Sequence, residues 1–171
     1  MSNKGLKFGF TGPESSGKTT LSSELSKIYL GEWIPEYARE FLSKKKGKYT
    51  IHDLDKIAKK QIESINRESS KIQFFDTELL VIKIWSEFKY QKCSTTIMKA
   101  FKYQKIDHYF LCSPDIPYEK DPLREHPKQR FELFDIYLNN LKTYNLPFSI
   151  IEGSTNERVE KCSSIIDTYS R

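Results

Sequence analysis

Residues 12–19, with the sequence GPESSGKT, constrain the fold more strongly than any other part of the chain. They fit the phosphate-binding pattern G-x-x-x-x-G-K-[ST] at every fixed position. In this pattern backbone N–H groups surround an anion, the lysine reaches the β- and γ-phosphates, and the last hydroxyl can ligate Mg²⁺. We therefore predict that ATP binds through Gly12, Glu14, Ser15, Ser16, Gly17, Lys18, Thr19 and Thr20, with Thr19 as a Mg²⁺ ligand.

The residues on either side of this loop support the same prediction. Residues 6–11 form a short apolar-rich run that is typical of a strand, and residues 19–29 carry Leu21, Leu25 and Ile28 at helical spacing. A helix that starts directly after the loop adds its partial positive charge to the anion site. This context favours a phosphate site over a chance glycine turn.

Strand and helix patterns alternate along the rest of the chain. We predict strands at 6–11, 32–35, 72–76, 108–112 and 148–152, and helices that begin near residues 19, 36, 50, 79, 127 and 154. This alternation predicts a five-stranded, mostly parallel sheet with helices on both faces, the three-layer α/β fold of P-loop NTPases. The length of 171 residues suits a single domain, 1–171. We expect Pro127 to open the long helix before the last strand, which would bury Phe131, Phe134, Leu138 and Leu141.

Composition and charge exclude several kinds of partner. The net charge is +5, and the basic run at 44–48 is interpreted as a solvated loop and not as a nucleic-acid or membrane site. The three cysteines are far apart, which argues against a zinc site and for a reducing compartment. We see no signal peptide and no membrane-spanning run, so we expect a cytoplasmic protein with a small-molecule substrate. The oligomeric state is not predicted.

Asp76-Thr77-Glu78 follows the third predicted strand. In parallel sheets ligands bind beyond the carboxyl ends of the strands, which places this segment near the γ-phosphate. Asp76 is therefore predicted to hold Mg²⁺ or to accept a proton from an attacking hydroxyl. A helix N-cap is the structural alternative, and both roles are compatible.

Two further segments leave the same edge of the sheet. Glu36 and Arg39 lie one helical turn apart, so either Glu36 faces the acceptor or the two form a surface ion pair, and the sequence leaves this open. Residues 113–130 follow the fourth strand and are rich in proline and charge. We predict that this segment is a lid whose Arg124 and Arg130 stabilise the transferring phosphate, whereas the alternative is a charged surface loop.

Taken together, residues 12–20, the E-Y-A-R-E run at 36–40, Asp76-Thr77-Glu78 and D-P-L-R at 121–124 resemble the ribosylnicotinamide kinase domain of NadR-type proteins. The resemblance implies phosphorylation of the 5′-hydroxyl of nicotinamide riboside with ATP and Mg²⁺. Members usually have D-T-D and D-G-L-R, whereas this chain has Glu78 and Pro122 at the differing positions. The resemblance implies that Lys18, Asp76, Arg124 and Arg130 are catalytic and that Thr19 and Asp76 are metal ligands. The substrate-binding residues that it implies are Glu36, Tyr37, Arg39, Asp76, Glu78 and Trp85. Trp85 is equally compatible with core packing.

Other functions fit the sequence less well. A regulatory GTPase needs an N-K-x-D motif, which the sequence lacks, and a mechanical AAA-type ATPase is normally longer, with an additional helical subdomain. Two alternatives stay open: a kinase for another nucleoside or small molecule, and a non-enzymatic or regulatory ATP-binding module.

Overall fold

Five short parallel strands form one sheet in the order β2-β3-β1-β4-β5 in the computed structural model, which describes residues 5–169. The strands are β1 (Lys7–Thr11), β2 (Glu32–Ile34), β3 (Gln73–Asp76), β4 (His108–Cys112) and β5 (Phe148–Ile151). The helices are α1 (Lys18–Ile28), α2 (Tyr37–Lys44), α3 (Ile51–Asn66), α4 (Leu79–Tyr90), α5 (Thr95–Tyr103), α6 (Arg130–Thr143) and α7 (Thr155–Tyr169). The predicted parallel α/β fold is confirmed.

The register of the sheet brings the strand ends together. Phe10 on the central strand β1 pairs with Asp76 on one side and with Phe110 on the other. All strands run in the same direction, so the loops that follow β1, β2, β3 and β4 leave from the same edge. The glycine loop, Glu36, Asp76 and the lid segment therefore start from one end of the sheet.

Alternation along the strands builds one apolar core on each face of the sheet. Phe8 and Phe10 point to the face covered by α1 and α7, where they pack with Leu21, Leu25 and Ile166. The opposite face carries a larger core under α3, α4, α5 and α6; its fully buried members include Leu54, Ile57, Leu79, Ile82 and Leu111. Burial of this size needs no disulfide, and Cys93, Cys112 and Cys162 are all free.

Two details differ from the sequence predictions. Helix α5 was not predicted, although Ser94 accepts a hydrogen bond from the Ile97 N–H and so caps its start. Helix α6 begins at Arg130 and not near Pro127, and its buried positions are Arg130, Leu133, Tyr137 and Leu141. Phe131, expected in the core, has 66% of its surface exposed because Arg130 turns inward to bond the glycine loop. Within residues 5–169, no helix combines the length and apolarity that crossing a membrane requires.

Candidate active site

The glycine loop has backbone conformations that strongly favour glycine at two positions. Gly12 has a φ of 129°, and an added Cβ would lie 2.7 Å from the Cys112 carbonyl oxygen. Gly17 has a φ of 82° and directly precedes α1. Only glycine adopts these conformations without strain, so the loop curls tightly over the helix N-terminus and its N–H groups. This is the predicted strand–loop–helix setting of an anion site.

Lys18 is the first residue of α1, and its side chain folds back over the loop. Its ammonium group lies 2.9 Å from the Gly12 carbonyl oxygen and 2.6 Å from that of Pro13. Both carbonyls accept hydrogen bonds from it. The charge is therefore held over the loop, where it can meet a phosphate oxygen.

Arg158 supports this loop from α7 and was not identified from the sequence. Its side chain is 3% exposed and donates to the carbonyl oxygens of Ser16 at 2.8 Å, Ser113 at 3.0 Å and Gly153 at 2.8 Å. It also forms an ion pair with Asp115. A single buried guanidinium thus joins the glycine loop to the segments after β4 and β5. Because its partners Ser16, Ser113 and Asp115 are distant in sequence, no local pattern points to it.

Asp76 ends β3 beside the glycine loop and is only 3% exposed. Burial raises its pKa, while a hydrogen bond with the Thr19 side chain and the charges of Lys18 and Arg39 oppose the rise. Its Oδ1 atom is buried and has no hydrogen-bond partner among the described residues. Thr77, the next residue, has the unusual φ of 72° for a β-branched side chain, so the chain turns sharply after the carboxylate.

The oxygen donors at this position fit a magnesium ion. Mg²⁺ prefers hard oxygen ligands and is usually held by one or two carboxylates together with substrate phosphates. The Thr19 hydroxyl and the unpartnered Asp76 oxygen provide such donors. Within residues 5–169 no group of three or more acidic, histidine or cysteine side chains forms a complete metal cage. A metal held here would therefore depend on the nucleotide for its other ligands.

Glu36 and Arg39 line a cavity that the glycine loop also lines, whereas Asp76 is not part of its lining. Glu36 precedes α2 but makes no side-chain cap hydrogen bond, so its carboxylate is available to the cavity. Burial and the negative charge of Asp76 raise its pKa, against the charges of Lys18, Arg39 and Arg124. Arg39 lies 3.9 Å from Glu36 and 2.7 Å from Asp121 of the lid. The one-turn ion pair, one of the two alternatives that the sequence left open, is therefore present, and Arg39 also contacts the lid.

The cavity has a volume of about 440 Å³, which suits a small ligand. Its lining includes the glycine loop and the charged side chains of Glu36, Arg39 and Arg124. It also includes apolar side chains: Ala38, Leu42, Val81, Ile84, Trp85, Phe88, Leu133 and Tyr137. Trp85 is thus part of the cavity wall and not only of the core. Such a mixed lining suits a ligand with a charged end and a flat apolar ring.

The lid, residues 113–129, is joined to the glycine loop by two side chains. The Glu14 carboxylate accepts hydrogen bonds from the backbone N–H groups of Glu125 at 2.9 Å and His126 at 2.7 Å. The Ser15 hydroxyl accepts one from the Glu119 N–H at 2.9 Å. Glu14 and Ser15, predicted to bind ATP, therefore also hold the lid against the loop.

Arg124 and Arg130 occupy different places. Arg124 lines the cavity and donates to the Ser15 hydroxyl at 3.3 Å and to the Glu119 carbonyl. Arg130 is 7% exposed and does not line the cavity. It donates to the carbonyl oxygens of Ser15 at 2.7 Å and Ile116 at 2.9 Å, and burial lowers its pKa. The sequence predicted that both arginines stabilise the transferring phosphate. The position of Arg130 corrects this prediction, because its side chain bonds the glycine loop and does not line the cavity.

Like Asp76, two other predicted substrate residues, Glu78 and Tyr37, do not line the cavity. The Glu78 side chain is fully buried and caps α4, where it accepts hydrogen bonds from the Leu80 N–H at 2.6 Å and from Gln104 at 3.0 Å. Burial raises its pKa to about 7. Tyr37 packs against Phe41 with ring centroids 6.1 Å apart and does not line the cavity. Glu78 and Tyr37 both lie at the start of a helix, and in both cases the side chain is turned toward the core.

Comparison with known proteins extends these findings. Residues 7–158 match a family model described as an AAA domain. Among solved structures, NadR protein in complex with NR is similar over 88% of this chain, with a TM-score of 0.74 and 19% identity. This chain spans 44% of the NadR chain, less than half of its length. No curated protein matches the chain in sequence.

Two structures of deoxyadenosine kinase from M. mycoides are also similar. The one with products dCMP and dCDP has a TM-score of 0.69 and 15% identity, over 96% of this chain and 100% of the other. The one with bound dCTP has a TM-score of 0.64 and 16% identity, over 95% and 100% of the two chains. At these identities the fold is what is shared, and the resemblance to NadR-type domains is confirmed at that level. The AAA-domain family model covers most of the sequence, so the chain belongs to that family. Its fold is that of P-loop nucleoside kinases.

Proposed function

We propose that the protein transfers the γ-phosphoryl group of ATP to the 5′-hydroxyl of nicotinamide riboside, which gives nicotinamide mononucleotide. One observation carries the proposal: a single cavity is lined by the glycine loop, by apolar and aromatic side chains and by the Glu36 carboxylate, and the charge of Asp76 acts on Glu36. A phosphate donor and a riboside acceptor fit such a lining.

Each step of the transfer has a candidate group. Asp76 or Glu36 accepts the proton of the 5′-hydroxyl as its oxygen attacks the γ-phosphorus. The bond from that phosphorus to the β–γ bridging oxygen breaks, and ADP leaves. Lys18 and Arg124 face the negative charge that spreads over the transferring oxygens. Thr19 and Asp76 would hold Mg²⁺, which supplies further charge neutralisation when it is bound.

Asp76 is our first choice for the base. It ends β3 at the edge of the sheet where the glycine loop would hold the γ-phosphate. Glu36 is the second choice, since its pKa is raised and it lines the cavity. Negative charge beside an aromatic wall that includes Trp85 favours a cationic ring such as nicotinamide.

A neutral nucleoside is the second candidate acceptor. The apolar wall offers the same area to a purine or pyrimidine ring, and the solved structures that are similar over their whole length are deoxyadenosine kinases. The non-enzymatic alternative predicts ATP binding without acceptor-dependent ADP release.

Product analysis with competing acceptors tests the proposal. The enzyme is incubated with MgATP and nicotinamide riboside beside uridine, cytidine, thymidine, adenosine and deoxyadenosine. We expect the highest kcat/KM for nicotinamide riboside, with the mononucleotide as product. A higher value for any nucleoside would reject this substrate and leave a small-molecule kinase. Absence of acceptor-dependent ADP release throughout would favour the binding module.

A further inference from the structure

Four side chains form a hydrogen-bonded cluster at the cavity, and two of them, Trp85 and Glu125, line it. Tyr49 lies at its centre, and Trp85, Lys89 and Glu125 surround the tyrosine hydroxyl; we call this group the Tyr49 cluster. The hydroxyl accepts hydrogen bonds from the Trp85 indole N–H at 2.9 Å and from the Lys89 ammonium at 2.6 Å, and it donates to the Glu125 carboxylate. Lys89 closes the ring of contacts with Glu125 at 2.6 Å. One hydroxyl therefore joins three elements: helix α4, the lid and the segment before α3.

The first of these elements carries the aromatic wall of the cavity. Trp85 lines the cavity from α4, and its ring meets the Tyr49 ring edge-on with centroids 5.0 Å apart. A tryptophan has one N–H donor, so a hydrogen bond to a neighbouring tyrosine fixes which way the indole plane faces. Tyr49 thereby holds both the position and the tilt of the ring wall.

The second element is the lid. Glu125 belongs to it, and the backbone N–H of the same residue donates to Glu14 in the glycine loop at 2.9 Å. Burial acts to raise the pKa of Glu125, but hydrogen bonds from Lys89 and Tyr49 hold it below its usual value. The side chain is therefore an ionised acceptor at neutral pH. Glu125 therefore makes two contacts. Its backbone contacts the glycine loop, and its carboxylate contacts Tyr49, which in turn holds the ring wall.

We propose that Tyr49 is a positioning residue for the phosphate acceptor. Its hydroxyl orients Trp85 and holds the lid at Glu125, so that the ring wall is complete only while the lid is closed. Recognition of the acceptor ring is thereby coupled to closure over the ATP phosphates. The identity of the acceptor rests on the proposed function, whereas the coupling between lid and wall does not.

The test compares Tyr49→Phe with Tyr90→Phe. Both changes remove a hydroxyl near Lys89, which lies 4.0 Å from the Tyr49 ring and 5.8 Å from the Tyr90 ring. The Tyr90 hydroxyl donates only to the backbone carbonyl of Tyr49, at 3.3 Å, and is the matched control. Tyr49→Phe should raise the KM for the acceptor by about tenfold, the scale of a lost hydrogen bond to a charged group, with less than about a twofold change in the KM for ATP. Tyr90→Phe should change neither.

Two readouts need no turnover, so that failure of the coupling is distinguished from failure of the proposed reaction. In a Trp33→Phe background Trp85 is the remaining tryptophan, and its emission should shift in Tyr49→Phe but not in Tyr90→Phe. Trypsin cleavage after Lys120, Arg124 and Lys128 should be about tenfold faster in Tyr49→Phe, at an unchanged melting temperature. If no nucleoside is phosphorylated, the proposed function fails and these two readouts still decide the coupling.

Glu125→Ala provides a second variant in case Tyr49→Phe is destabilised, because the Glu125 side chain is 35% exposed and lies outside the core. It should speed lid cleavage as much as Tyr49→Phe, and the double variant should be no faster than either single one. The proposal is overturned if the two effects add, if Tyr90→Phe behaves like Tyr49→Phe, or if the Tyr49 variant has the emission and cleavage rate of the wild type.

Discussion

The Arg39 guanidinium lies 2.7 Å from the Asp121 carboxylate, so the helix after β2 is tied directly to the lid. The same guanidinium lies 3.9 Å from Glu36 in the cavity. Arg39 holds the pKa of Asp121 below its usual value through their hydrogen bond. This pair gives the lid a second contact, next to Glu36. Because the pair is partly exposed, salt screens the attraction between its charges.

We expect Asp121→Asn to weaken lid closure modestly. Exposed ion pairs contribute about 0.2–1 kcal/mol, so KM values should rise by no more than about fivefold. The difference between variant and wild type should shrink between 50 mM and 500 mM salt, because salt already screens the pair in the wild type. Steady-state kinetics at both salt concentrations check this, and an effect that grows with salt would contradict it.

Lys18→Ala should lower kcat by about a hundredfold or more, the scale of losing one preorganised charge from a transition state. Lys18 donates hydrogen bonds to the carbonyls of Gly12 and Pro13 within the same loop, so the melting temperature should change little. Acceptor-dependent ADP release measures the effect. Activity near that of the wild type would remove the glycine loop from the mechanism.

Arg124→Ala and Arg130→Ala should behave differently. Arg124 lines the cavity, so its loss should lower kcat more than it raises KM. Arg130 is buried and holds the Ser15 and Ile116 carbonyls, so its loss should reduce the free energy of unfolding by about 1.5–3 kcal/mol. Kinetics and chemical denaturation together distinguish the two. A stable Arg130→Ala protein that has lost only kcat would restore it to the catalytic group.

Glu78→Gln should change the pH dependence of stability. The pKa of the buried carboxyl is raised from 4.5 to about 7, because the folded protein favours its protonated form. The stability that this protonation contributes is fully present below pH 4.5 and is lost as the pH rises through 7. Glutamine keeps the acceptor oxygen and cannot ionise. The variant should gain stability over the wild type between pH 5 and pH 8, by up to about 3 kcal/mol. Denaturation at both pH values checks this, and a pH-independent difference would contradict it.

The strands, the glycine loop and the converging edge were predictable because each rests on local patterns and on the rules of parallel sheets. The strand His108–Cys112 is present with the predicted bounds. Side-chain directions were less accessible. Glu78 and Tyr37 turn inward because tertiary packing decides which face of a helix start is buried, and Arg158 bonds carbonyls far along the chain. Such contacts leave no periodic signal in a single sequence.

The turnover of Asp76→Asn with MgATP and nicotinamide riboside, measured beside its affinity for ATP, tests the central claim most directly. Asparagine keeps the shape of the side chain but removes its basicity. The account predicts a loss of about 10²–10⁴-fold in kcat, the range of general-base catalysis, with binding of ATP in the absence of Mg²⁺ within about threefold of the wild type. Turnover near the wild-type rate would contradict the assignment of Asp76 as the base.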